Sequence, residues 1–150
     1  MNHRTLTALP IAFALLLSAC HGGTSAPGTR TFGAEDTHPF AGIGADEVVH
    51  FTGTEPFWGG QVSGSSLTYT TPEDQKGATI AVSRFAGRNG VSYSGDLAGA
   101  AFVVALTPGS CSDGMSDRRY PFVATLQVKG EQREGCAWTD KQPFTGPPHP

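Results

Sequence analysis

The feature that most constrains this chain is an alternation of period two that recurs between residues 47 and 140. Tyr120, Phe122, Ala124, Leu126 and Val128 alternate with Pro121, Val123, Thr125 and Gln127. Successive side chains of an extended strand point to opposite faces, so this spacing sets one apolar face against a core. Phe102, Val104 and Leu106 repeat the pattern, as do Val91 and Tyr93, Leu67 and Tyr69, and Ile80 and Val82. Asn89-Gly90 separates two such runs and tolerates the positive φ angles of a type I′ hairpin; Lys129-Gly130 is read the same way. No window of a dozen residues after position 19 carries a helical stripe. The expected fold is all-β, a small antiparallel barrel of about seven or eight strands, with a sandwich as the alternative. The barrel is preferred because closure removes unpaired edges.

Residues 1–19 read as a lipoprotein signal peptide. His3 and Arg4 give a short positive start, and Leu6 to Leu17 is an apolar run too short to span a bilayer. It ends in Leu17-Ser18-Ala19-Cys20, the pattern accepted by lipoprotein signal peptidase once the Cys20 thiol carries a diacylglyceryl group. Several acyl chains, at about 0.8 kcal/mol per buried methylene, anchor far better than one. An ordinary secretory signal that happens to end beside a cysteine is the alternative. In a cell with two membranes, His21 is not the aspartate that commonly retains lipoproteins in the inner membrane. Outer-membrane anchoring with the domain facing the periplasm is therefore expected. Without residues 1–19 the chain keeps 131 residues, in which nine Lys and Arg face thirteen Asp and Glu, a net charge of −4. That balance argues against nucleic acid, whose binding rests on clustered Lys and Arg.

With Cys20 assigned to lipid, Cys111 and Cys136 remain in an oxidising compartment, where two such thiols usually join. Two free, buried thiols are the alternative. If the strand from Tyr120 turns at Lys129-Gly130 and returns through Arg133 to Trp138, Cys136 comes back towards the loop that carries Cys111. Residues 20–46 are rich in Gly, Ala, Thr and Pro without any period and read as a lipidated cysteine followed by a flexible stalk. Residues 141–150 read as a disordered tail, because their prolines cannot donate to a ladder. The barrel domain is placed at 47–140.

Residues able to carry chemistry are few. Asp113 and Asp117 lie four apart with Ser112 and Ser116 alongside, but a calcium loop needs a denser ligand series, and Arg118-Arg119 would repel a cation. The structural reading makes Asp113-Gly114 a tight turn and pairs Asp117 with an arginine. His21, His38, His50 and His149 show no ligand spacing, and Met115 lacks a copper-binding context. There is no Gly-x-Ser-x-Gly elbow and no Cys-x-x-Cys. No enzymatic activity, metal or cofactor is expected. In Gly53 to Gly60, Glu55 and Trp58 form either the mouth of a ligand pocket or an ion-pair partner and a core plug, the second being preferred. The candidate binding surface comprises Glu55, Trp58, Asp117, Arg118 and Arg119.

Three segments carry a family resemblance: GTEPFW (Gly53 to Trp58), CSDGMSDRRYPF (Cys111 to Phe122) and GCA (Gly135 to Ala137). Together they resemble a family of uncharacterised bacterial lipoproteins, over most of residues 47–139. The resemblance implies an envelope location and a shared disulfide-closed fold, with no catalytic residues to transfer. A looser similarity runs to META-domain heat-shock lipoproteins and to membrane-bound inhibitors of c-type lysozyme. The stretch from Val91 to Phe102 has the Ser, Tyr and Gly of the inhibitors' loop but lacks its Trp and Lys. The expectation is a non-enzymatic, periplasm-facing lipoprotein whose barrel domain binds an envelope component. The alternatives are an inhibitor of c-type lysozyme, with Arg118 or Arg119 reaching the acids of its cleft, and a small-ligand or metal carrier.

Overall fold

The alternating runs become eight strands, each hydrogen-bonded to the next in antiparallel fashion. They are β1 (Val49–Thr54), β2 (Phe57–Ser63), β3 (Ser66–Thr70), β4 (Ala78–Ala86), β5 (Val91–Leu97), β6 (Ala100–Cys111), β7 (Tyr120–Val128) and β8 (Glu131–Thr139). β1 also pairs with β8, Val49 opposite Thr139 and Thr52 opposite Cys136, so the sheet closes into a barrel without a free edge. The structure, a computed structural model, describes residues 38–147. The expected signal peptide, Cys20 and most of the expected stalk lie outside the described residues, as do positions 148–150.

The inward face follows the sequence period. Phe102, Val104 and Leu106 on β6 and Ala124 and Leu126 on β7 are fully buried, joined by Leu67, Tyr69, Ile80, Val82, Val91 and Tyr93. Eight strands enclose a bore just wide enough for side chains to fill. Here Phe51, Trp58, Tyr93 and Phe102 fill it. The interior is a core, and open space lies at the mouth and on the outer wall.

Turn chemistry departs from expectation at one place. Lys129 and Gly130 both adopt positive φ, 50° and 81°, as a type I′ turn requires. Asn89 and Gly90 do not; the β4–β5 connection is a wider loop in which the Gly87 N–H donates to the Gly90 carbonyl at 3.0 Å. Gly90 is needed there for space, since a Cβ would lie 2.0 Å from the Leu106 carbonyl oxygen. The second I′-like pair is Ala98-Gly99, with φ of 54° and 85°.

Both flanking segments dock on the barrel, which corrects the boundaries expected for stalk and tail. Ile43 is buried, its carbonyl accepts from Arg84 Nη2 at 2.7 Å, and the Phe40 N–H donates to the Gly87 carbonyl at 2.7 Å. The buried Glu47 carboxylate accepts from the Gly44 N–H at 3.0 Å and from the Thr139 hydroxyl. Burial opposes ionisation of Glu47, but these two donors together with the nearby Lys141 charge outweigh it and lower its pKa. On the C-terminal side, Gln142 Nε2 donates to the Gly42 carbonyl at 2.6 Å, and Thr145 exchanges two backbone hydrogen bonds with Arg119. A proline-rich segment cannot extend a long ladder, but a single bridge at Thr145 escapes that limit. The docked unit therefore reaches at least from residue 38 to 147.

Candidate functional site

The three motif segments meet around β1, β7 and β8, with the Cys111 to Phe122 segment crossing the outer wall. Register is irregular between Pro108 and Cys111, a bulge that redirects the end of β6. Cys136 lies on the outward face of β8, opposite Val123 and Thr52. Cys111 is bonded to it with a Cα–Cα distance of 5.6 Å, inside the normal disulfide range. From there residues 112–119 fold over the wall, and Thr54 at the end of β1 donates its hydroxyl to the Asp113 carbonyl at 3.2 Å.

Asp113 holds this crossover together. Its carboxylate accepts from the Met115 N–H (3.0 Å), the Ser116 N–H (2.8 Å), the Ser116 hydroxyl (2.7 Å) and the Tyr120 hydroxyl (3.0 Å). Burial alone would raise its pKa, yet the four donors outweigh burial and bring it down to about 2. Gly114 takes a φ of 72°, as the tight turn expected at Asp113-Gly114 requires. A carboxylate so fully engaged with its own loop has little capacity left for a cation. Among the described residues no group of three or more His, Cys, Asp or Glu is placed to hold a metal ion.

The docked C-terminal segment forms the other fastening. Phe144 sits 5.5 Å from Tyr120 and 5.7 Å from Trp138, ring centre to ring centre, and Tyr120 and Trp138 are 5.5 Å apart. His50 stacks on Trp138 at 5.2 Å while its Nε2 lies 2.8 Å from Asp140. The Arg118 guanidinium lies 4.5 Å above the Phe144 ring, and its Nε donates to the Pro147 carbonyl at 3.0 Å. Arg119 Nη1 donates to the Ser112 hydroxyl at 3.1 Å and to the Arg118 carbonyl at 3.0 Å. Beside the disulfide a cleft of about 310 Å³ opens, lined by Thr52, Thr54, Ser112, Asp113, Glu134 and Gly135 among others.

The five candidate surface residues separate. Asp117 and Arg119 are exposed on the crossover, and Arg118 is half-buried against Phe144. Glu55 is exposed in the β1–β2 turn. Trp58 is not a surface residue: it is 3% exposed, packs 5.7 Å from Phe51, and belongs to the core, so the exposed ring of that motif is Phe57 at 52%. Two glycines make its place. A Cβ at Gly53 would lie 2.1 Å from the indole nitrogen, and one at Gly135 would lie 2.9 Å from Cζ2 and 2.1 Å from the Thr52 carbonyl oxygen. GTEPFW and GCA thus share one structural task. Sequence reasoning weighed Ser116 as a metal donor and Tyr120 as a strand residue but missed that both hold Asp113, and it missed Phe144 altogether. Asp followed three residues later by Ser is a recognisable side-chain-to-backbone turn pattern, whereas Phe144 gave no local sign.

Fold and site together define a disulfide-closed, eight-stranded antiparallel barrel that carries a fastened crossover on its wall. No known family, curated protein or solved structure matches the chain, so the site is read from its own chemistry.

Proposed function

We propose that this chain is a non-enzymatic lipoprotein of the bacterial envelope. Acyl chains on Cys20 hold it to the membrane, and the barrel domain binds a protein partner through residues 112–119. One observation carries the binding reading. The crossover is fastened by the Cys111–Cys136 bond, by the four donors to Asp113 and by the bridge to Thr145, while it leaves Asp117, Arg119 and Met115 (65% exposed) facing outward. A surface ordered before encounter loses less conformational entropy on binding, which favours affinity.

Photo-crosslinking from position 117 of the full chain in intact cells tests the proposal. A discrete protein adduct that disappears in Arg119→Ala supports it. Labelling of lipid alone, or an adduct indifferent to that substitution, rejects it. The exposed Arg119 guanidinium also keeps inhibition of c-type lysozyme as a second reading, since such a group suits the acid pair of a muramidase cleft. Lysis left undiminished by a molar excess of the protein removes that reading.

A further inference from the structure

At the barrel end formed by the turns at 55–56, 71–77, 98–99 and 129–130, a pocket of about 390 Å³ opens. Its floor holds a cation in an unusual place. Arg133 lies opposite Leu126 on the β7–β8 ladder, and Leu126 is fully buried, so Arg133 shares the inward face of the barrel. Its Nη1 donates to the Tyr69 hydroxyl at 3.1 Å and its Nη2 to Glu131 at 2.8 Å, while Nε is buried without a hydrogen-bond partner. A buried donor left unpaired in a native structure calls for an explanation.

The present partner of the guanidinium is weakly held. The Glu131 side chain is 65% exposed, and exposed ion pairs of this kind contribute little. A carboxylate arriving side-on would take Nη2 and Nε together, the planar two-bond geometry that arginine favours. Tyr69 accepts from Arg133 and so has its own O–H to give; burial, the largest influence on it, raises its pKa and keeps that proton in place. Phe57, Leu97 and Val128 give the pocket an apolar side, while Thr71, Glu73 and Lys129 line the rest of it.

We propose that the barrel mouth binds a small organic monoanion, a carboxylate whose head pairs with Arg133 and Tyr69 and whose apolar body lies against Phe57, Leu97 and Val128. Glu131 is the internal stand-in for the ligand's head group. It occupies the guanidinium when the pocket is empty and swings aside when a better-placed carboxylate arrives. The mouth and the crossover are separate sites, so this inference does not depend on the protein-binding proposal.

Hexanoate and its neutral isostere hexanamide are the probes, titrated into the full chain while backbone amide shifts of Tyr69 and Lys129 are followed. Hexanoate should saturate with a dissociation constant of about 1 mM or tighter, the scale expected for eight heavy atoms. Hexanamide should bind at least ~10-fold more weakly, because it cannot make the charge-assisted pair. Arg133→Met should abolish the discrimination, and Glu131→Gln, at an exposed position that leaves the fold intact, should tighten hexanoate several-fold. Equal binding of acid and amide, no saturation by hexanoate, or a Glu131→Gln affinity no tighter than that of the unaltered chain overturns the proposal. The Glu131→Gln result decides the matter even if Arg133→Met fails to fold.

Discussion

Asp113→Asn isolates the charge that the crossover is built around. The carboxyl pKa falls from an ordinary 3.8 to about 2 because the donors from Met115, Ser116 and Tyr120 prevail over burial. A folded-state pKa below the unfolded one contributes stability that is fully present above the unfolded value and is lost as pH falls through the folded value. By linkage the full shift corresponds to roughly 2 kcal/mol at neutral pH, and partial solvent screening of this half-buried group reduces it to about 1–2 kcal/mol. The amide retains the shape but loses the charge, and its NH2 group meets donors from which a carboxylate oxygen accepted. Urea unfolding of both proteins at pH 7, 4, 3 and 2 is the assay, with free energies compared at equal m-values. The asparagine variant should be less stable by about 1–2 kcal/mol at pH 7, and the gap should close between pH 4 and pH 2 as Asp113 protonates in the parent chain. A gap that stays constant across this range would refute the reasoning. It would mean that Asp113 acts through shape alone.

Two further substitutions test the packing around the site. Gly135→Ala places a Cβ 2.1 Å from the Thr52 carbonyl oxygen and 2.9 Å from the Trp58 ring, so the β1–β8 seam must open. The expected cost is about 3 kcal/mol, read as a lower melting temperature, and a melting curve superimposable on the parent's contradicts the role given to that glycine. Phe144→Ala removes the ring that Tyr120, Trp138 and Arg118 share. It should cost about 1–2 kcal/mol for a half-buried aromatic and shift Trp138 emission to longer wavelength, and unchanged emission argues that the C-terminal segment does not dock in solution.

Much of the barrel was legible because burial on one face writes itself into a sequence at period two. β6 and β7, with Phe102 to Leu106 and Phe122 to Val128, need no other information. Lys129-Gly130 was readable because glycine at the second turn position announces positive φ. Ala98-Gly99 was less readable, because alanine does not announce it, and Asn89-Gly90 misled because the tight contact with Leu106 forced a different loop. β8 has no clean alternation. Its inward row runs Glu131, Arg133, Gly135, Ala137 and Thr139, and two charges and a glycine do not look like a core face. That is why the cation in the barrel mouth was invisible from sequence. Trp58 was ambiguous for a related reason: its burial depends on two glycines, one of them 77 residues away in the chain, at position 135. The docking of residues 38–46 and 141–147 depends on single tertiary bonds, such as Gln142 to Gly42 and Thr145 to Arg119, which leave no local pattern. For the site, the cysteine pairing followed from compartment and strand return, while the hub position of Asp113 and the aromatic seat under Arg118 came only with the fold.

Amide hydrogen exchange of residues 112–119, with the Cys111–Cys136 bond intact and then reduced, tests most directly whether this crossover is held ready by its fastenings. The loop closed by that bond spans 25 positions, so reduction should cost about 3.5 kcal/mol in the chain-entropy model. In the oxidised protein the Ser116 and Arg119 amides, which donate to Asp113 and to the Thr145 carbonyl, should be protected well above unstructured rates. Reduction should remove that protection before the β6–β7 ladder opens. Exchange at unstructured rates in the oxidised protein, or a profile untouched by reduction, would contradict the account.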